Sequence, residues 1–114
     1  MDAGERSGVI TLAEFEAQVP GPGGERSVLA LKRGTLDIRL SVPVAPNVQT
    51  PHEQDEIYFV VRGHGVLVHQ ELRTPFGPGD ILFVAAGVDH HYADFSADLA
   101  LWRVFYGVAG GEEP

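Results

Sequence analysis

One stretch in the middle of the chain decides the fold: Pro51-His52-Glu53-Gln54-Asp55-Glu56-Ile57-Tyr58-Phe59-Val60-Val61-Arg62-Gly63. Residues 57–61 are a dense run of β-branched and aromatic side chains, which is typical of a β-strand. An imidazole at His52 and a carboxylate at Glu56 stand just before that run. Both groups are suitable ligands for divalent ions such as Zn, Mn, Fe or Ni. The stretch therefore predicts a strand whose first end carries metal-binding side chains.

The spacing of His52 and Glu56 sets a geometric condition on such a site. Residues four apart point to the same face of a straight strand, but their Cα atoms lie about 13 Å apart at ~3.3 Å per residue. Pro51 disfavours a regular ladder at this point because it has no N–H to donate. We therefore expect a loop or bulge over residues 53–55, with Glu56 as the first residue of the regular strand.

Short strand patterns continue on both sides of this stretch and are separated by Gly and Pro turns. Apolar and polar residues alternate with a period of two over residues 36–42. Gly63-His64-Gly65 predicts a tight turn that joins residues 57–61 to residues 66–69, and residues 75–80 predict a second turn. This series of short strands and turns indicates an all-β fold, a small barrel or jelly roll. Further strands are expected at residues 28–32, 81–84, 90–92 and 99–106.

The two ends of the chain depart from the strand pattern. Thr11, followed three residues later by Glu14, matches a capping box that begins a short N-terminal helix within residues 9–19. Residues 110–114 lack an apolar anchor, so we expect residues 107–114 to be a flexible tail. A length of 114 residues favours one domain, with residues 1–27 as helix and loop and residues 28–106 as the barrel.

Composition narrows the classes of function. The chain has no cysteine, so a metal ion would be held by His and carboxylate side chains. Sixteen acidic residues against eight basic ones give a formal charge of −8, which disfavours nucleic acid and anionic membranes as partners. The longest apolar runs are about half a dozen residues, well below the roughly 18 to 20 of a membrane-spanning helix. We expect a cytoplasmic protein whose partner is a small molecule or another protein.

The decisive stretch resembles the first motif of the small microbial cupins, which runs His, one residue, His, three or four residues, Glu, six residues, Gly. Counting back from Gly63 places the Glu at Glu56 and the second His at His52. The second cupin motif is matched in order by Gly79, Gly87 and His90. The resemblance covers roughly residues 28–106 and implies a small single-domain cupin barrel.

Three positions depart from the cupin motifs. Thr50 stands at the first His of the first motif, Ala85 at the Pro of the second motif and Asp94 at its Asn. Only Thr50 affects a metal ion directly, because it removes one of the four protein ligands that the family usually supplies. Gln49 or a water molecule is a candidate for that fourth position.

The resemblance implies one divalent metal ion, Fe, Mn, Zn or Ni, held by His52, Glu56 and His90. Two imidazoles and one carboxylate are similar to the facial triad of non-haem Fe(II) oxygenases. A small-molecule substrate and a metal-dependent dioxygenase or isomerase are one expectation from the resemblance. The alternative is a module that binds or senses a small molecule without catalysing a reaction, with or without a metal ion. The residues alone leave both open.

Three further side chains are candidates for the pocket. Tyr58 shares the strand parity of Glu56, and Tyr92 shares that of His90. Arg39 lies on the polar side of its strand, where it would hold an anionic substrate or form a surface ion pair. Tyr58, Tyr92 and Asp55 are also the candidates for a general acid or base.

Pairing as homodimers is a further expectation from the resemblance, with residues 28–32 as a candidate for strand exchange. Trp102 and Phe105 have opposite parity, so they cannot both face the pocket on one regular strand. The one that faces away is a candidate for a dimer interface.

Overall fold

The structure is a computed structural model that describes residues 7–47 and 49–114, and these ranges contain eight strands and one short helix. All the strands pair antiparallel, as the alternating patterns predicted. The predicted all-β fold with a short N-terminal helix is confirmed. The elements are, in chain order, α1 (Leu12–Glu16), β1 (Ser27–Arg33), β2 (Leu36–Ser41), β3 (Asp55–Arg62), β4 (Gly65–His69), β5 (Leu72–Phe76), β6 (Ile81–Val84), β7 (His90–Ala93) and β8 (Ala100–Tyr106).

The strands form two sheets that enclose the main core. The large sheet has five strands in the order β1-β2-β8-β3-β6, and the small sheet has three in the order β5-β4-β7. The main core joins side chains of both sheets, among them Val60 and Leu101 from the large sheet and Leu67 and Phe76 from the small sheet. We call the face of the large sheet that meets this core its inner face.

The strand register places the polar residues of the inner face side by side. Tyr58 of β3 pairs with Arg103 of β8, and Arg103 pairs in turn with Arg39 of β2. Because side chains alternate along a strand, the residues two positions away form the neighbouring row. That row contains Asp37, Phe105 and Glu56.

The outer face of the large sheet holds a second apolar cluster beneath α1. Leu40 and Ala100 are fully buried there, with Leu12, Phe15 and Trp102 packed against them. Trp102 meets Phe15 edge-on with 6.4 Å between ring centroids, whereas Phe105 lies on the inner face. The two aromatic residues therefore both have a place within one chain. Trp102 packs against α1, and Phe105 lies on the opposite face of the same sheet.

The capping box acts as the sequence predicted. The Glu14 backbone N–H donates to Thr11 Oγ1 at 3.3 Å, so the hydroxyl satisfies one of the free amides at the helix N-terminus. The helix is shorter than residues 9–19, because it ends at Glu16 before the Pro and Gly residues of the following loop.

The turn predicted over residues 75–80 is shorter in the structure, because its first two residues belong to β5. Residues 75 and 76 were expected in a turn because Pro75 interrupts a ladder, but Pro75 lies in β5 and pairs with Val66 of β4. β5 is an edge strand of the small sheet, where a proline needs no partner on its outer side. The turn itself covers residues 77–80, and the Gly77 N–H donates to Asp80 Oδ2 at 2.8 Å.

The C-terminal segment is also held more firmly than its composition predicts. The Gly110 N–H donates to the Glu53 carbonyl at 2.7 Å, and the Glu112 N–H donates to Asp55 Oδ2 at 2.9 Å. Residues 110 and 112 thus have backbone partners in the barrel, and fraying from residue 107 stays a prediction for a measurement of mobility. A sequence pattern could not show this, because the acceptors lie more than 50 residues away along the chain.

No helix in the described part of the chain is long and apolar enough to cross a membrane.

Candidate functional site

Three polar side chains meet in the core at the inner face of the large sheet. Glu56 is only 1 % exposed, and Tyr58 and His90 are buried beside it. The Tyr58 hydroxyl donates to Glu56 Oε1 at 2.5 Å, and His90 Nε2 lies 2.9 Å from the same oxygen. His90 Nε2 is also 2.8 Å from the Tyr58 hydroxyl. The sequence predicted that Tyr58 would share the face of Glu56, and these contacts follow from that parity.

The proton positions in this cluster follow from its acceptors. His90 Nδ1 lies 3.0 Å from the Val88 carbonyl, which can only accept, so Nδ1 carries a proton. Tyr58 has one hydrogen, and its contact with Glu56 is the shortest in the cluster. The contact between His90 Nε2 and Glu56 Oε1 then needs one further proton, carried by one of the two groups. A proton on His90 Nε2 makes the pair an imidazolium and a carboxylate, and this is the arrangement that the pKa directions of the two groups favour.

The pKa shifts agree with a charged pair. Burial disfavours the Glu56 carboxylate, but hydrogen bonds from His90 and Tyr58 outweigh it and hold the pKa of Glu56 below its ordinary value of 4.5. Burial also disfavours a charged His90, yet its hydrogen bond to Glu56 raises the pKa of His90 above its ordinary 6.5. Burial raises the pKa of Tyr58 far above its usual range, so the phenol keeps its proton.

A fourth member of the cluster, Arg103, was missed in the sequence. Its Nη2 donates to Glu56 Oε2 at 3.3 Å and lies 3.4 Å from His52 Nε2. Its guanidinium carbon stands 5.8 Å from the Tyr58 ring centre and 5.2 Å from that of Phe105. The side chain is 16 % exposed, and an arginine stays charged at any physiological pH. We call Glu56, Tyr58, His90 and Arg103 the Glu56 cluster.

His52 lies at the margin of this cluster on the loop before β3. Its carbonyl accepts from the Gly87 N–H at 2.7 Å, and its ring centre is 4.5 Å from that of Phe105. Its Nε2 is 4.0 Å from Glu56 Oε2. Burial lowers the pKa of His52, so a neutral ring accepts from Arg103 at pH 7. The predicted bend before the strand is present, although β3 begins at Asp55, one residue earlier than expected.

Two cavities flank Arg103 on the inner face. The first, which we call the His52 cavity, has a volume of about 400 Å³, and its walls include Asp37, Arg39, His52, Arg103 and Phe105. The second, which we call the Arg26 cavity, has a volume of about 230 Å³. Its walls include Arg26, Ser41, Gln49, Tyr92 and Arg103.

The pattern of the chain matches the family model described as Cupin domain over residues 42–102. That span is more than half of the chain and includes Glu56, Tyr58 and His90, whereas Arg103 lies one residue beyond it. The chain belongs to the cupin family.

Individual relatives agree with this assignment. The cupin is 40 % identical over 57 residues to a protein of Streptomyces coelicolor, a match that covers 50 % of this chain and 54 % of the relative, so the chain spans about half the length of that relative. A Cupin 2 conserved barrel domain protein from Salinispora arenicola has a TM-score of 0.59 at 21 % identity, covering 71 % of this chain and 74 % of that one. The Fe(II) form of HppE in complex with its substrate has a TM-score of 0.59 at 16 % identity, covering 70 % and 52 %. The two structures show the fold alone.

Cupins often bind a metal ion, so the predicted ligands require a test against the geometry. The structure does bring His52 and His90 to the same carboxylate, Glu56. However, both oxygens of Glu56 accept hydrogen bonds, His90 Nε2 lies in direct contact with Glu56 Oε1 at 2.9 Å, and Arg103 Nη2 stands between Glu56 Oε2 and His52 Nε2. Within residues 7–47 and 49–114, no three His, Asp or Glu side chains are arranged to hold an ion. Metal binding by these residues remains a prediction, and this arrangement does not fit it.

Two other candidates lie beside the Glu56 cluster. Gln49, the candidate for a fourth ligand, has its Oε1 3.1 Å from the Tyr58 hydroxyl oxygen. Tyr92 is 3 % exposed, and its hydroxyl has no hydrogen-bond partner in the described structure. Thr50, at the position of the absent motif histidine, is exposed.

The remaining candidates have different surroundings. Arg39 lies on a wall of the His52 cavity, but its Nε donates to Asp37 at 2.8 Å, so most of its charge is offset. Asp55 accepts from the backbone of Ala86 at 3.0 Å and of Glu112 at 2.9 Å. These contacts assign Asp55 a structural role in place of the acid–base role that was expected.

One signal in the sequence would have identified Arg103. It is the only charged residue of β8, a strand of otherwise mostly apolar side chains, and it shares the parity of Leu101 and Phe105. A charged side chain on the buried face of such a strand needs a partner, and Glu56 is that partner.

Proposed function

We propose that this cupin binds a small polar molecule at the inner face of the large sheet, with Arg103 as the fixed cation of the site and no resident metal ion. The observation that supports this is the Arg103 guanidinium, which lies between Glu56 Oε2 and His52 Nε2 and forms a wall of both cavities.

Electrostatics support a guanidinium in place of a metal ion. Two unit charges about 4 Å apart interact by roughly 4 kcal/mol at an effective dielectric constant of 20, and a divalent ion doubles this repulsion. Arg103 and the His90 imidazolium together already exceed the single negative charge of Glu56. A divalent ion at Glu56 would have to displace the proton of the His90–Glu56 pair and would still meet repulsion from Arg103, unless Arg103 moved away.

The cluster also has the character of a binding site. Removing charged groups from water is costly, and a well-packed apolar core is often at least as stable as a buried ion pair. Buried ionisable groups with shifted pKa values beside a cavity are therefore functional-site candidates. Of the groups with shifted pKa values, Arg103 lines both cavities, Tyr92 lines the Arg26 cavity and His52 lines the His52 cavity.

Metal content is the first test. Protein purified without added metal is analysed for Mn, Fe, Ni and Zn, and is then titrated with each ion under anaerobic conditions. We expect far less than one equivalent and no saturable site in the wild-type protein. One equivalent of tightly held metal that is lost in Glu56→Gln and His90→Ala would overturn the proposal, and would favour the metal-dependent dioxygenase or isomerase that the resemblance implies.

Ligand binding is the second test. A library of small polar metabolites is screened by thermal shift in the presence of EDTA. A ligand at 100 times its Kd raises the free energy of unfolding by about 2.7 kcal/mol, which is easily detected. We expect Arg103→Gln to abolish the shift and Arg73→Gln, which alters an exposed ion pair with Asp94, to preserve it. No shift with any compound would contradict the proposal.

A further inference from the structure

We infer that the Arg26 cavity receives the carboxylate of a small organic acid. This inference rests on the proposed function and deepens it, because it names the chemical class of the ligand and the side of Arg103 on which it binds. The cavity is lined by Arg26, Arg103, the hydroxyl-bearing residues Ser27, Ser41 and Tyr92, the amides Asn47 and Gln49, and the apolar residues Pro43, Val44 and Pro46.

The charge of this lining is opposite to that of the whole chain. Acidic residues outnumber Lys and Arg by 16 to 8 in the sequence, yet the Arg26 cavity has two arginines and no carboxylate on its walls. The His52 cavity is different, since Asp37 and Glu53 lie on its walls beside its cations. The Arg26 cavity is therefore the one that favours an anion.

The two arginines are not equally neutralised. Arg103 donates to Glu56, so its charge is offset behind the cavity wall. The Nε of Arg26 donates at 2.9 Å to the Val42 carbonyl, a neutral acceptor. Among the described residues, no carboxylate oxygen lies within 4.0 Å of Arg26. About one positive charge remains for a ligand, which matches a monoanionic carboxylate better than a phosphate dianion.

Two unsatisfied donors belong to the same wall. In the described structure the Tyr92 hydroxyl and Arg103 Nε are buried without a hydrogen-bond partner. A buried donor left unpaired costs about 1–3 kcal/mol, so such groups are rare in native proteins. A carboxylate is a pure acceptor with about four lone-pair sites. After small rotations of the two side chains, it would accept hydrogen bonds from the Tyr92 hydroxyl and from Arg103 Nε.

The size and the apolar side of the cavity limit the rest of the ligand. A volume of about 230 Å³ lies below the roughly 300–1,000 Å³ of pockets that take drug-sized molecules. Pro43, Val44 and Pro46 offer an apolar surface opposite the polar one. The ligand is accordingly a small monocarboxylic acid with a short apolar body.

Matched pairs of probes test this inference. Butyrate and butyramide, benzoate and benzamide, and inorganic phosphate are titrated by calorimetry and thermal shift in the presence of EDTA. We expect the acids to bind and the isosteric amides and phosphate to bind at least tenfold more weakly. Arg26→Gln should weaken the acids at least tenfold, Arg26→Lys should restore part of the affinity, and Arg33→Gln, at an exposed end of β1, should change nothing.

The outcomes separate this inference from the proposed function. Equal binding of acids and amides, tighter binding of phosphate, or full affinity in a folded Arg26→Gln variant would overturn the carboxylate assignment. A shift with neutral polar compounds alone would leave the proposed function standing. No binding of any compound would overturn both. Circular dichroism of each variant shows whether it is folded.

Discussion

The two faces of the large sheet are built by the same strands, but the charged groups of the Glu56 cluster lie on the inner face alone. On β8, Trp102 packs outward against α1, and the next residue, Arg103, points inward to Glu56. On β2, Leu40 is fully buried in the outer cluster, whereas Arg39 beside it lines a cavity. A strand with a period of two thus places residues one peptide bond apart in an apolar cluster on one face and on the walls of the cavities on the other.

The two faces also differ in how their buried side chains contribute to the free energy of unfolding. The outer face buries apolar side chains, each contributing about 1.5–3 kcal/mol. The inner face buries charges whose mutual attraction roughly offsets the free energy lost with their hydration. The outer face should therefore respond to changes of volume, whereas the inner face, which also meets the main apolar core, should respond to changes of charge as well.

The largest effect is expected from loss of the shared counter-charge. Glu56→Ala leaves the guanidinium of Arg103 and the imidazolium of His90 buried without a carboxylate. Breaking a buried pair in this way lowers the free energy of unfolding by roughly 3–5 kcal/mol, measured by urea denaturation. Glu53→Ala, an exposed neighbour, is the control and should change it by less than about 0.5 kcal/mol. Equal stability of the two variants would show that the cluster is not a coupled unit.

A volume change on the outer face is expected to have the next largest effect. Leu40→Ala opens a cavity under α1 at a residue with no exposed surface. The free energy of unfolding should fall by about 2–4 kcal/mol, while affinity for inner-face ligands stays within twofold. Parallel loss of ligand affinity in the folded variant would mean that the two faces are not independent.

The charges of the inner face also predict how stability depends on pH. The lowered pKa of Glu56 gives stability that is present above about pH 4.5 and is lost as the pH falls through its folded value. The raised pKa of His90 gives stability that is present below about pH 6.5 and is lost as the pH rises through its folded value. These two groups therefore favour a maximum between those pH values.

A pH series of melting temperatures checks this maximum. Tyr58 and Arg103 face the pair and stay in one protonation state over this range, whereas His52 titrates with the opposite sign to His90 because its pKa is lowered. His90→Gln should remove the decline above pH 6.5. A decline of the same size in wild type and His90→Gln would show that another group causes it.

The smallest effect on stability is expected at the part of the outer face that α1 leaves uncovered. The effect of a substitution there on assembly should be larger. Phe59, Ile81 and Phe83 are 41 %, 63 % and 55 % exposed on β3 and the edge strand β6. If the expected homodimer uses this surface, Phe83→Glu should convert dimer to monomer in light scattering and leave the unfolding free energy within about 0.5 kcal/mol. Leu72→Glu on β5 is the matched exposed control. A wild-type protein that is monomeric at every concentration would contradict the dimer.

Local patterns predicted the fold because every strand except β5 carries its own signal. Alternation in residues 36–42, the glycines around His64 and the capping box at Thr11 each depend on neighbours in sequence. The place of Tyr58 beside Glu56 follows from parity within one strand. The position of His90 near Glu56 came from the resemblance, since no local rule brings residues of β3 and β7 together.

Long-range pairing explains what the sequence did not predict. Arg103 meets a carboxylate 47 positions away only because β8 and β3 pair in one particular register. The proton on His90 depends on the Val88 carbonyl and on Tyr58 at the same time. The anchored residues 110–112 and the proline in β5 likewise depend on partners that composition does not specify.

The place of β8 in the large sheet also constrains the order of events during synthesis. β8 is translated after β1 to β7, yet it lies between β2 and β3 and pairs with both. β2 can pair with β1 and β3 with β6 before then, but the two pairs are not joined into one sheet until residues 100–106 have left the ribosome. Until that point a nascent chain exposes one edge of β2 and one edge of β3, where it can aggregate or bind chaperones.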